Sequence, residues 1–110
     1  GVTSLKDFVF YGCSRLTSIP IPEGLTSLGG GVFQNCRSLT SIAIPAGVTS
    51  IGSSAFESCS SLTSIAILAG VTSIGESAFK DCIKLNTIYC YKNSTADKYT
   101  DYPSIAKRYI

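Results

Sequence analysis

The chain has 110 residues, 45% of them hydrophobic and 15% charged, with a formal net charge of +2 and no histidine. No apolar run reaches the roughly 18–20 residues that a membrane-spanning helix needs. Lysines and arginines are scattered, with no basic run or helix-spaced stripe, which argues against a nucleic-acid partner.

Gly1 is set aside as a tag remnant, and the elements then recur along the chain. Residues 2–24, 25–47, 48–70 and 71–92 form four units of one design. The third is the cleanest. Val48 to Ile51 and Leu62 to Ile67 are rich in β-branched and hydroxyl residues and are expected to be extended. In the second segment Ile65 and Ile67 face inward, and Ser64 and Ala66 face outward. Gly52 and Gly70 close the two segments. Between them, Ser53 as a cap, Glu57 as an acid and Phe56 and Cys59 three apart suggest a short helical stretch with one buried side. Pro22 and Pro45 end the second strand of the first two units for want of an N–H. The first unit is irregular over Lys6 to Val9, and in the fourth Cys90 replaces the inward isoleucine of Ile21, Ile44 and Ile67.

Residues 93–110 break the repeat and are expected to form a helical cap. Ser94 and Asp97 have capping-box spacing. Tyr99, Tyr102, Ile105, Ala106 and Tyr109 would cover the open end, with Pro103 dividing the segment into two short helices.

Cys13, Cys36, Cys59 and Cys82 follow one another at 23 residues. Phe10, Phe33, Phe56 and Phe79 precede them by three, and Leu16, Leu39, Leu62 and Leu85 follow by three. Such a period marks a solenoid, in which each coil stacks only on its neighbours. The expected fold is an α/β repeat solenoid of four coils with a helical cap. Its first coil has no polar cap, so Val2, Leu5 and Phe10 are expected to be exposed and to favour self-association through that end. The array itself is expected to be the C-terminal part of a longer protein.

The five cysteines, Cys90 included, are taken as structural thiols that act as small buried hydrophobes. A column of like rotamers lacks the roughly 90° torsion of a disulfide, and without histidine no mixed zinc site is assigned. No cofactor is expected. Without a histidine base, and with the acids dispersed over corners and cap, catalysis is not expected either. The candidate binding face is the outward side of the strand ladder. Ser18, Ser41, Ser64 and Thr87 make one row, and Pro20, Ala43, Ala66 and Tyr89 the next. Tyr89, together with Tyr91, is the expected anchor.

Leu39 to Pro45, Val48 to Gly52, Ala55, Phe56 and Cys59 follow the pattern LxxIxIPxxVxxIGxxAFxxC. The chain therefore resembles the BspA-like (Treponema pallidum type) leucine-rich repeats, from residue 2 to about residue 99. The closing stretch from Thr87 to Tyr99 resembles the usual end of such arrays. That resemblance implies a leucine-rich-repeat segment of a bacterial surface or secreted protein whose role is adhesion to host proteins or other cells. A spacer or capping array that presents another domain is the alternative.

Overall fold

A computed structural model describes residues 4–19, 21–99, 102 and 104–110. In chain order the elements are β1 (Ser4–Leu5), β2 (Ser27–Leu28), β3 (Ser50–Ile51), β4 (Ser64–Ile67), β5 (Ser73–Ile74), β6 (Thr87–Cys90), α1 (Thr95–Lys98) and β7 (Ala106–Tyr109). Two parallel sheets form, one in the order β1-β2-β3-β5 and the other β4-β6-β7. Ser4, Ser27, Ser50 and Ser73 are in register, so the sequence period is the spatial repeat of the solenoid. The whole is 31 × 31 × 21 Å.

One column runs through every coil. Phe10, Phe33, Phe56 and Phe79 stack with centroid separations of 5.6, 5.4 and 5.5 Å. Tyr99 closes the column edge-on against Phe79 at 6.0 Å, and Tyr102 packs on Tyr99. Leu39, Leu62, Ile51, Ile65 and Ile67 fill the same core with almost no exposure. Each interior coil thus lays its apolar side chains on the same side chains of its neighbours, and apolar burial drives the stacking.

The segments between the sheets are not the short helices expected from side-chain spacing. They are runs of tandem turns. Cys36, Cys59 and Cys82 donate their N–H groups to the carbonyls of Phe33, Phe56 and Phe79, three residues back. The intervening amides leave the coil altogether. Gly31, Phe33 and Asn35 donate to Ser53, Ala55 and Glu57 of the next coil, and Ser54, Phe56 and Ser58 donate to Glu76, Ala78 and Lys80. An α-helix would direct these amides to carbonyls four residues back within the same coil. The outward twist uses left-handed backbone at two places per coil: Phe8, Gly31, Ser54 and Ser77, then Gly12, Asn35, Ser58 and Asp81.

Coil-to-coil contact is closest at Gly52 and Gly75. A Cβ at Gly52 would lie 2.5 Å from Gly30 N, and one at Gly75 would lie 2.3 Å from Ser53 N. Glycine is required there because backbone meets backbone.

The end of the array also differs from expectation. Helix α1 is a single turn, with Ser94 Oγ accepting from Asp97 N at 3.3 Å. The predicted second helix is instead strand β7, which lies parallel to β6. Lys107 and Tyr109 occupy the registers of Ile88 and Cys90, whose side chains are buried. The inward rows Ile65-Ile88 and Ile67-Cys90 therefore finish in polar groups. Lys107 Nζ donates to Asp97 O at 2.9 Å, and Tyr109 Oη donates to Asp97 Oδ1 at 3.0 Å. Asn93 N donates to Asp97 Oδ2 at 2.7 Å. Polar residues at inward places on a last strand oppose further stacking. The cap expectations for Tyr99 and Tyr102 concern described residues, whereas Pro103, Val2 and Pro20 lie outside them.

Two predictions follow from this packing. Phe56→Ala removes a ring stacked on both sides and is expected to cost about 3–5 kcal/mol in chemical unfolding; Phe10→Ala, at the half-buried end of the column, is expected to cost less. The cap should also respond to pH at both ends. The hydrogen bond from Asn93 N, helped by those from Tyr109 and the nearby lysines, holds the Asp97 carboxyl below its ordinary value. A carboxyl lowered in the fold contributes above its ordinary titration range, and that contribution is lost as pH falls through the lowered value. The bond to Asp97 raises the Tyr109 phenol. Its contribution is present below the ordinary phenol range and is lost as pH rises through the raised value. The Asn93 amide resonance should therefore hold steady through the ordinary carboxylate range of about 4 and up to the ordinary phenol range of about 10, and move only below the one and above the other. Titration of that amide at an ordinary carboxylate value of about 4 would contradict the latch.

Candidate interaction surface

Along β4, β6 and β7 the outward residues fall into register. Ser64, Thr87 and Ala106 make one row; Ala66, Tyr89 and Arg108 make the next. Alternation places Ile65, Ile67, Ile88 and Cys90 inside, all buried, and leaves Tyr89 41% exposed. Arg108 is exposed, and among the described residues its guanidinium has no hydrogen-bond or ion-pair partner. Tyr91 stands just beyond β6 and is 43% exposed. A strip of small and hydroxyl residues thus carries an aromatic ring with an exposed cation one strand away, about 4.8 Å across the sheet.

Ser18, Ser41 and Ala43 are exposed as well, but they do not join this sheet, since the first two coils have no strand at these places. The expected face of four strands is corrected to three, and its third strand is β7. Proline marks the coils that are left out. Pro22 and Pro45 stand where the third and fourth coils have Leu68 and Tyr91. Proline donates no ladder bond. Strand pairing begins in the coils that lack it.

A helix over residues 105–109, as the sequence spacing suggests, gives Arg108 no place in an outward row; the strand does. A signal was present in the alternation of Ile105, Lys107 and Tyr109 against Ala106 and Arg108, just after Pro103. Threonine columns elsewhere are committed to the backbone: Thr49 and Thr72 Oγ1 donate to the carbonyls of Thr26 and Thr49 at 3.1 and 3.3 Å.

The cysteine column has a definite chemistry. Cys36, Cys59 and Cys82 Sγ donate to the carbonyl oxygens of Phe10, Phe33 and Phe56 in the preceding coil, at 3.2, 3.2 and 2.9 Å. Each of these carbonyls also accepts the N–H of the cysteine in its own coil. Burial pushes the Cys59 thiol far up, and it pushes Cys82 up to about 11, partly offset by the hydrogen bond from the Cys59 backbone. Cys36 and Cys90 are raised by burial too. Thiols held protonated are poor nucleophiles and poor metal ligands. Among the described residues no three His, Cys, Asp or Glu side chains group as a metal site would require. Among the described residues no helix is long and apolar enough to cross a membrane.

The family model for the BspA type leucine rich repeat region matches residues 1–100 in six copies. The chain belongs to this family. Members are built as parallel-strand solenoids and generally serve as protein-interaction modules. Among solved structures the chain is similar to a leucine-rich repeat protein from Bacteroides ovatus, with a TM-score of 0.89 and 31% identity, covering 100% of this chain and 29% of that one. It is similar to a leucine rich cell surface protein from Faecalibacterium prausnitzii, with a TM-score of 0.76 and 32% identity, covering 99% of this chain and 31% of that one. It is also similar to the Treponema pallidum leucine rich repeat protein, with a TM-score of 0.70 and 28% identity, covering 80% and 52%. No curated protein matches. The chain therefore spans under a third of the length of the Bacteroides and Faecalibacterium proteins.

The thiol geometry yields a direct test. Only Cys13 is half-exposed, and the other four cysteines are buried. A water-soluble disulfide reagent should modify Cys13 alone in the native protein and the rest only on unfolding. Simultaneous modification of all five would contradict the ladder.

Proposed function

We propose that this chain is a non-catalytic protein-binding module of a bacterial cell-surface protein, and that it adheres to proteins of a host or of neighbouring cells through the outward face of β4, β6 and β7. The observation that carries this reading is the row of Ala66, Tyr89 and Arg108, in register and open to solvent. Tyrosine and arginine are the residue types that most often dominate binding energy. The rigid sheet fixes their spacing before a partner arrives, which limits the entropy lost on binding. Ser64, Thr87 and Ala106 beside them are small, so a partner can approach the backbone closely. Arg108 adds a preference for a carboxylate on the partner, since its planar fork matches that group. Support for a surface location comes from the Faecalibacterium relative, which is named a leucine rich cell surface protein.

The reading is tested by screening the chain against immobilised extracellular proteins and intact cells. Binding is expected to weaken about ten-fold or more in Tyr89→Ala and in Arg108→Ala, and to be unchanged in Ser41→Ala. Binding that survives both substitutions would move the surface elsewhere. Binding seen only with a longer form of the protein would make these coils a spacer that presents another region.

A further inference from the structure

The outward row of Ala66, Tyr89 and Arg108 exists only while β7 stays in the sheet, and β7 is held there differently from the strands before it. On β4 and β6 the inward side chains Ile65, Ile67, Ile88 and Cys90 are buried, and apolar burial docks those strands. On β7 the inward places belong to Lys107, half-buried, and Tyr109, 56% exposed. Ile105 is buried and anchors the start of the strand, but none of residues 106–110 is buried. A segment with so little buried apolar surface belongs to the low-stability end of a fold.

Asp97 supplies the missing hold. It is itself fixed to the core, because Ala96 beside it is buried and Tyr99, just past α1, packs edge-on against Phe79 at 6.0 Å. Its N–H donates to Ser94 Oγ, and Asn93, in left-handed backbone at φ 66°, donates its N–H to Asp97 Oδ2. The other carboxylate oxygen and the main-chain carbonyl serve β7. Tyr109 Oη donates to Oδ1 at 3.0 Å, and Lys107 Nζ donates to the carbonyl at 2.9 Å. Lys107 and Tyr109 are the chain neighbours of Arg108 on either side. Side chains alternate across a strand, so two neighbours strapped on the inner side direct Arg108 outward. A guanidinium that is to meet a carboxylate with both nitrogens gains from a backbone fixed to within about 0.5 Å, which residues behind it must provide.

We infer that Asp97 is the positioning residue of the outer face: through Tyr109 and Lys107 it keeps β7 docked and holds Arg108 beside Tyr89. The inference rests on the proposed binding role of that face, and its test separates the two. Amide hydrogen exchange and side-chain NOEs are measured on the ¹⁵N-labelled chain as wild type and as Tyr109→Phe. That substitution removes one hydroxyl from an exposed ring and leaves Asn93, α1 and the outer face as they are. Exchange at Ile110, whose amide donates to the Cys90 carbonyl, is expected to rise about three- to ten-fold. The NOE between the Tyr89 and Arg108 side chains is expected to weaken with it. Exchange at Phe56, whose amide donates to the Ala78 carbonyl, is expected to be unchanged. Asp97→Ala, which frees Asn93 as well, is expected to act in the same direction and at least as strongly. Unchanged exchange at Ile110 in both variants would overturn the inference. So would a rise at Phe56 in step with Ile110, which would make Asp97 a stabiliser of the whole array. The binding arm uses acetylated hexaglutamate as a carboxylate probe, followed at Tyr89 and Arg108. Its affinity is expected to fall about three- to ten-fold in Tyr109→Phe, and equal affinity would overturn the positioning role. No shift in the wild type at several-millimolar probe would overturn instead the carboxylate preference of the face, with the exchange arm still deciding for or against Asp97.

Discussion

Each of the first three coils of this solenoid gives every second amide of its turn segment to the next coil, and the rest of the architecture depends on that hand-over. Gly31, Phe33 and Asn35, and again Ser54, Phe56 and Ser58, donate outward, while the amides of Cys36 and Cys59 close turns inside their own coils. A helix would keep all these bonds local and leave its neighbours joined by side chains alone. The alternation instead makes the turn side a ladder in its own right, so a coil of 23 residues is tied to the next along both short strand and turn. It holds only if the backbone twists left-handed twice per coil and if Gly52 and Gly75 admit backbone contact. The phenylalanine column then fills what lies between, and the thiols complete it by donating to carbonyls that already accept one turn amide.

A stack with this logic has no internal reason to stop, since each coil offers the next the same carbonyls and the same apolar row. The C-terminal segment supplies the stop. Tyr99 turns an edge to the last stacked ring, and β7 takes the last place in the sheet with Lys107 and Tyr109 where isoleucine and cysteine stood before. Asp97 gathers both side chains and the Asn93 amide onto one helical turn. The same strand carries Arg108 on its outer side, beside Tyr89. Termination and the candidate binding surface are thus two faces of one strand.

What the sequence disclosed followed its periodicity. The 23-residue interval identified the phenylalanine and cysteine columns, the strands β4 and β6 and their register, because identical side chains at one interval can only stack. It said less about backbone. Phe56 and Cys59, three apart, suit a helical turn and a tandem β-turn equally, and the sequence does not show that alternate amides leave the coil. β7 was hidden for a different reason: Ala106 follows its register partner Thr87 by 19 residues, so the repeat frame no longer aligns it. The narrowing of the outer sheet was legible in principle, since Pro22 and Pro45 give way to Leu68 and Tyr91 where pairing begins. The first coil is legible in the sequence only as an irregularity; that the Phe8 ring lies against Gly31 is a fact of three dimensions.

The central claim, that the coils are joined by amides leaving alternate turn positions, is tested most directly by NMR couplings transmitted across hydrogen bonds. The account predicts correlations from Phe33 N to the Ala55 carbonyl, from Phe56 N to the Ala78 carbonyl and from Ala106 N to the Asn86 carbonyl. A correlation from Phe56 N to the Gly52 carbonyl, four residues back, would show a helix in place of the ladder and contradict it.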